Sequence, residues 1–341
     1  MNAPPVQYVR TTDGYDIAYS VSGQGRPLVF LPQTMSHIQM YWTEDTWVRP
    51  WLTRLAERFQ LVQYDGRGQG LSRRGLPDTF SLYDEELDLE AVVERLGLRK
   101  FTLMAVQSRG HTAIRYAVAN PDRVEALVLV SCLISLADWP LALLAPLSEQ
   151  DWDAFLRSLA GLSSAKEIEG SVRRQKQAIT QADYVTISRA ERQSNISDWL
   201  PRLATPTLVL HPRQSLNMPP EESMRLAAAI PNAQMVLIDG ATPLGDSQQG
   251  VEAIERFAAE AASRPAIAKA PEPARGDAGN MSVREIEVLR LLAAGKSNQQ
   301  IADELVISPN TAIRHVSNIF AKIGVENRAQ AAVYARDHGL G

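Results

Sequence analysis

The chain has 341 residues, 45% of them hydrophobic and 22% charged, with a net charge of −4. That length accommodates about two globular domains, and the charge excludes a polycation that binds nucleic acid by bulk electrostatics alone. A single cysteine, Cys132, excludes an internal disulfide and fits a reducing compartment. No apolar run approaches the roughly 20 residues that cross a bilayer. Residues 1–5 show no charged-then-apolar leader pattern, so the expectation is a cytoplasmic protein with no membrane partner.

Strand and helix signals alternate through residues 1–262. A hairpin is predicted to turn at Asp13-Gly14, followed by a strand over 28–31, a helix over 46–59 and a strand over 61–64. A helix over 81–96, a strand over 101–106 and a helix through Tyr116 come next, then strands over 127–130, 207–210 and 235–238 before a last helix. This order predicts an α/β class: a mostly parallel, doubly wound sheet with helices on both faces. Residues 133–200 break the alternation with helical, Trp-containing sequence and read as an inserted lid. Residues 263–280 are rich in Pro, Ala and Gly without periodicity, the composition of a linker.

Residues 281–341 read as a separate all-α domain of four short helices. Ser282-x-x-Glu285, Ser297-x-x-Gln300 and Asn327-x-x-Gln330 are capping-box patterns. Ser308-Pro309 is a cap with proline in the first turn, and Gly295 and Gly324 sit where helices should stop. Two helices separated by Val306-Ile307-Ser308 form a helix-turn-helix. In the second of them Ala312, Val316, Ile319 and Ile323 recur at helical spacing and should face inward. Thr311, Arg314, His315, Asn318 and Lys322 form the opposite, acid-free face, suited to phosphates and purine edges in a major groove. With Ser308 and Asn310 at the helix start, these are the expected DNA-binding residues. Seven basic and six acidic side chains nearly cancel across 281–341, so non-specific affinity should be modest and useful binding should need a dimer. The segment resembles the LuxR-type helix-turn-helix domain end to end, with Thr311, His315, Val316 and Asn318 matching that family's recognition helix; Ile313 departs, standing where a basic residue is common. The resemblance implies promoter DNA as a partner and a homodimer, with the last helix, 328–337, as the expected dimer contact.

Further motifs concern residues 20–260. Tyr64-Asp65-Gly66-Arg67-Gly68-Gln69-Gly70-Leu71-Ser72, Asn120-Pro121-Asp122-Arg123-Val124 and Thr205-Pro206-Thr207-Leu208-Val209-Leu210-His211 resemble segments of α/β-hydrolases. That resemblance implies a nucleophile on a sharp strand-to-helix elbow, an acid and a His. Here the elbow reads Ala105-Val106-Gln107-Ser108-Arg109-Gly110, with Gln107 at the nucleophile position. Gln214 and Ser215 fill the acid position, Pro243 the His position, and Pro32-Gln33 the usual His-Gly. A carboxamide is no acyl-transfer nucleophile. Ser108 as a substitute would slip the strand register and has no base, since none of the five His lies between 212 and 314. Arg109, bulky where the elbow wants a small residue, predicts a looser turn. The expectation is therefore a non-enzyme without metal or cofactor, its hydrolase-like domain binding a small-molecule effector.

Such a ligand would lie at the carboxyl ends of the strands beneath the lid. Gln33, Ser36, His37, Trp42, Gln107, Ser108 and Trp139 are the expected contacts. The six Trp lie either after the third strand (Trp42, Trp47, Trp51) or in the lid region (Trp139, Trp152, Trp199). Singly each is more simply explained by packing; together they favour an aromatic or flat apolar ligand. No glycine-rich phosphate cradle precedes a helix, which argues against nucleotides. Two alternatives remain: a constitutive dimeric DNA-binding protein, and an enzyme of unconventional chemistry on the hydrolase fold. A homoserine-lactone receptor is disfavoured because the N-terminal part resembles a hydrolase instead.

Overall fold

The computed structural model describes residues 3–43, 46–138, 140–162, 168–215, 218–263, 281, 283–307, 311–312, 315–316, 319–320, 323, 325 and 328–340. Two compact units result, Met1–Pro77 with Glu85–Ala266, and Asp78–Asp84 with Ile267–Gly341. The expected linker and the caps at Ser282 and Asn327 fall almost wholly outside the described residues.

In the first unit, β1 (Val6–Arg10) and β2 (Asp16–Ser22) form the expected hairpin, with Gly14 at φ +91° in its turn. After them come β3 (Pro27–Phe30), α1 (Met40–Thr43), α2 (Arg49–Arg58), β4 (Gln60–Tyr64), α3 (Asp84–Arg95), β5 (Phe101–Val106), α4 (Arg109–Ala119) and β6 (Val124–Val130). The lid contributes α5 (Ala145–Gln150), α6 (Trp152–Leu162), α7 (Ile168–Ala178) and α8 (Gln181–Arg192). The chain then returns through β7 (Thr207–Pro212), α9 (Pro220–Ala229), β8 (Ala233–Ile238) and α10 (Ser247–Ser263). The eight strands run in the order β1-β2-β4-β3-β5-β6-β7-β8, antiparallel at the β1–β2–β4 end and parallel elsewhere. The helix expected over 46–59 begins only at Arg49, where Pro50 supplies a first turn whose missing N–H costs nothing.

Strand β5 explains why the sheet is covered on both faces. Its six residues are all buried, an unbroken apolar run apart from Thr102. Phe101, Leu103 and Ala105 face one core with Leu89, Val92 and Val93 of α3 and Ala113, Ile114 and Ala117 of α4. Met104 and Val106 face the other, with Trp51, Leu52 and Leu55 of α2 and Val251, Ile254 and Phe257 of α10. Each of the Val, Leu, Ile, Phe and Met side chains among them stabilises the fold by about 1.5–3 kcal/mol through burial.

In the second unit, α11 (Val283–Ala293), α12 (Asn298–Leu305) and α13 (Arg328–Asp337) surround a core of Val288, Leu289, Leu292, Ile301, Ala302, Ile307, Ala312, Val316, Ile319, Ala331 and Ala335. The predicted capping box exists: Ser297 Oγ accepts the Gln300 N–H, and Gln300 Oε1 accepts the Ser297 N–H. Residues 311–312, 315–316, 319–320 and 323 are helical; Ala312, Val316 and Ile319 face inward as expected, and Ile323 is half-buried. Gly295, at φ +80°, follows the end of α11, and α12 ends in a left-handed residue, Val306 at φ +52°.

Helices α2 and α10 meet where Gly250 faces the Trp51 ring, and a Cβ at 250 would lie 2.0 Å from the indole. Gly250→Ala should therefore destabilise the first unit by about 1–3 kcal/mol through overpacking, read as a lowered urea midpoint. An unchanged midpoint would mean that the helices separate at no cost.

Candidate functional site

The site is built around the turn from β5 to α4. Gln107 holds that turn at φ +53° and donates its N–H to the Val130 carbonyl at 2.9 Å. A non-glycine residue in this region costs about 1–3 kcal/mol, which surrounding structure must hold. At the neighbouring strand end, Ser131 (φ +50°) donates its hydroxyl to the Pro243 carbonyl at 3.0 Å. The elbow is thus sharp, and the looser turn expected from Arg109 does not occur. The reason is that the Arg109 side chain is accommodated in a buried polar network beside the turn.

Arg109 Nη1 donates to Glu85 of α3, whose other oxygen accepts the Thr112 hydroxyl at 2.9 Å. Arg109 Nη2 donates to Thr34 Oγ1 at 3.0 Å and lies 3.8 Å from Glu191 of α8. The Thr34 hydroxyl donates to Glu191 at 3.0 Å. Burial opposes charge on Arg109, but Glu85 and Glu191 outweigh it and raise its pKa above the usual value. Burial pushes Glu191 above the usual carboxylate range, against Arg109 and the hydroxyls of Ser108 and Thr34.

The loop after β3 is held from beneath. Asp65 accepts the Ser36 hydroxyl at 3.0 Å and the N–H groups of Ile38 (3.0 Å) and Leu71 (2.9 Å), while Gln69 Oε1 accepts the Met35 N–H at 2.5 Å. Burial raises Asp65 to about 6 despite these donors. Arg67 in the same segment pairs with Asp88 (2.8 Å) and Asp13 (2.7 Å) and covers the Tyr15 ring. The lid is tied down at several points. Asp183 of α8 accepts the N–H groups of Gly75 (3.1 Å) and Leu76 (2.8 Å), and Gly70 N–H donates to the Ala178 carbonyl at 2.6 Å. Trp152, Phe155 and Tyr184 stack within the lid, and Met35 packs against that cluster.

Several expected ligand contacts are placed differently. Gln107 is half-buried at the elbow and Ser108 is buried beside it. Gln33 is buried; Ser36 is wholly buried and its hydroxyl is taken by Asp65, so it is a support of the loop rather than a ligand contact. His37 is half-buried, its Nδ1 accepting the Met40 N–H at 3.3 Å. Trp42, expected to line the pocket, is packed into the core beneath α2 and α10 and donates its indole N–H to Gln63 at 2.9 Å. Trp139 lies outside the described residues. At the expected acid position, Gln214 Oε1 accepts the Gly240 N–H at 2.6 Å.

Among the expected DNA contacts, Thr311 is buried and His315 is half-buried. Ser308, Asn310, Arg314, Asn318 and Lys322 lie outside the described residues. Among the described residues no His, Cys, Asp and Glu cluster could hold a metal, and no helix is long and apolar enough to cross a membrane.

The alpha/beta hydrolase fold model matches residues 27–244, from β3 past β8. The chain belongs to the alpha/beta hydrolase fold family. Residues 279–335 match the model of bacterial regulatory proteins of the luxR family, so a LuxR-type DNA-binding domain follows the hydrolase-fold domain. A putative carbamate hydrolase, RutD, of Caulobacter segnis is 34% identical over 125 residues, 36% of this chain and 44% of that protein. The transcriptional regulatory protein LiaR of Bacillus subtilis is 47% identical over 60 residues, 17% of this chain and 28% of that protein. The chain thus spans less than half the length of these curated relatives. Solved structures show the same hydrolase fold. A meta-cleavage product hydrolase of Pseudomonas fluorescens IP01 has a TM-score of 0.62 at 18% identity, over 75% of this chain and 98% of that one. A thermophilic esterase of Thermogutta terrifontis has a TM-score of 0.62 at 20% identity, over 75% and 99%.

One histidine of this hydrolase fold is buried at the base of the lid region. His111 of α4 is fully buried; Nε2 donates to the Leu133 carbonyl (3.0 Å), so Nδ1 accepts the Ser194 hydroxyl (2.6 Å). Burial, helped by Arg115, lowers its pKa to about 3. A folded-state pKa below the unfolded value means that stability falls as pH drops below about 6.5, by up to about 1.4 kcal/mol per pH unit. Between pH 6 and 4, His111→Gln should lose stability less steeply than the parent chain in urea titrations. Parallel pH profiles would show that His111 is protonated in the fold.

Proposed function

We propose that the chain is a ligand-responsive transcriptional regulator. Its hydrolase-fold domain binds a small, largely apolar molecule without turning it over, and its LuxR-type domain binds promoter DNA as a homodimer. The observation that carries this reading is Gln107 at the elbow, in the left-handed conformation that the fold uses to present a nucleophile. A carboxamide there can donate and accept hydrogen bonds but cannot form an acyl intermediate. Gln214 and Pro243 stand where the acid and His are expected; the Gln214 side chain accepts the Gly240 N–H, and the Pro243 carbonyl accepts the Ser131 hydroxyl. A pocket of this kind retains its ligand intact, which is what a sensor requires. For control, the ligand must bind the DNA-competent and DNA-incompetent arrangements with different affinity. RutD and the esterase neighbours are named for hydrolysis, so turnover is the reading to test against.

A thermal-shift screen of the full chain against aromatic acids, esters and lactones, with each hit recovered and weighed by mass spectrometry, tests this reading. Stabilising compounds should come back unchanged; recovery as a hydrolysis product would make the domain an enzyme. On the DNA side, Ser308, Asn310, Arg314, His315, Asn318 and Lys322 are proposed contacts. Arg314→Ala should cost about 1–3 kcal/mol of specific binding and relax preference at one base. Unaltered affinity and footprint would remove Arg314 from the interface.

A further inference from the structure

The buried Arg109 guanidinium has two sides, and only one is fully hydrogen-bonded. Its Nη1 end is closed by Glu85, which Thr112 also holds. The opposite edge carries Nε and Nη2, whose N–H groups form the planar fork that grips a carboxylate through two parallel bonds. There Nη2 donates to the Thr34 hydroxyl, while Nε is buried without a hydrogen-bond partner. The carboxylate nearest this edge is Glu191, brought in by lid helix α8. It stands 3.8 Å from Nη2, beyond hydrogen-bond length, and is held instead by the hydroxyl of Thr34. A carboxylate tethered to a helix thus sits beside the fork without engaging it, one residue from the elbow glutamine.

We propose that the Nε–Nη2 edge of Arg109 anchors the effector, that the effector is a small carboxylic acid, and that Glu191 keeps its place in the unliganded chain. This assignment rests on the ligand-binding reading above and names the ligand's chemistry. An incoming acid inherits the Thr34 hydroxyl, satisfies the orphaned Nε–H, and replaces one negative charge with another. Its apolar body then lies on the lid side, where Met35 meets the Trp152–Phe155–Tyr184 cluster.

Binding of benzoate and propionate to the full chain, with benzamide and propionamide as uncharged matches, tests the assignment by calorimetry. Benzoate should bind the parent chain in preference to benzamide. Glu191→Ala should bind both acids about tenfold tighter or more, since the internal competitor is gone, and neither amide should gain. Arg109→Lys keeps the charge but removes the fork, and should abolish the gain in the Glu191→Ala background. Thr34→Val, a milder change, should reduce it if the lysine variant does not fold. Equal binding of benzoate and benzamide, or no tightening in Glu191→Ala, overturns the assignment. A neutral ester or lactone that stabilises the chain regardless of residue 191 also overturns it while leaving the sensor reading intact. Failure of every compound class to bind folded protein removes both.

Discussion

A single buried cation organises the site. Removing a guanidinium from water costs several kcal/mol unless charge and hydrogen bonds replace the solvent. Around Arg109 that replacement comes from three separate parts of the chain: Glu85 on α3, Thr34 on the loop after β3, and Glu191 on lid helix α8. The elbow, the loop and the lid therefore share one electrostatic requirement, and none can move far without exposing the others to an unbalanced charge. The sharp turn at Gln107 and the burial of Ser108 both belong to this arrangement.

Persistence of the elbow geometry is informative by itself. The left-handed turn is strained, and in a hydrolase that strain presents a nucleophile. Here it presents a carboxamide, while packing of β5 between two cores keeps the turn in place. Geometry suited to placing an atom at the mouth of a pocket is equally suited to placing a hydrogen-bonding group there. A hydrolase fold can thus retain the shape of this turn with different chemistry at its centre.

The parts legible in the sequence are those specified by neighbours. The buried β5 run, the Asp13-Gly14 turn and the Ser297–Gln300 capping box each depend on residues a few positions apart, and each forms as its pattern implies. The polar network was not legible because Thr34, Glu85, Arg109 and Glu191 are far apart in the chain and have no shared spacing; the one available signal was a charged residue at the first turn of an otherwise apolar helix. Ser36 and Trp42 were misplaced for the opposite reason. Their positions after the third strand suggested a pocket, but Asp65 and Gln63 satisfy their polar atoms and draw them into the interior.

Helix α8 carries a carboxylate near each end: Asp183 grips the backbone of Gly75 and Leu76, and Glu191 reaches the elbow. Eight residues separate them, about 12 Å along the helix axis. Mechanically the helix is a bar clamped at one end and latched at the other. Held at both ends, the helix couples the Gly75–Leu76 backbone to the network at the elbow through one rigid element.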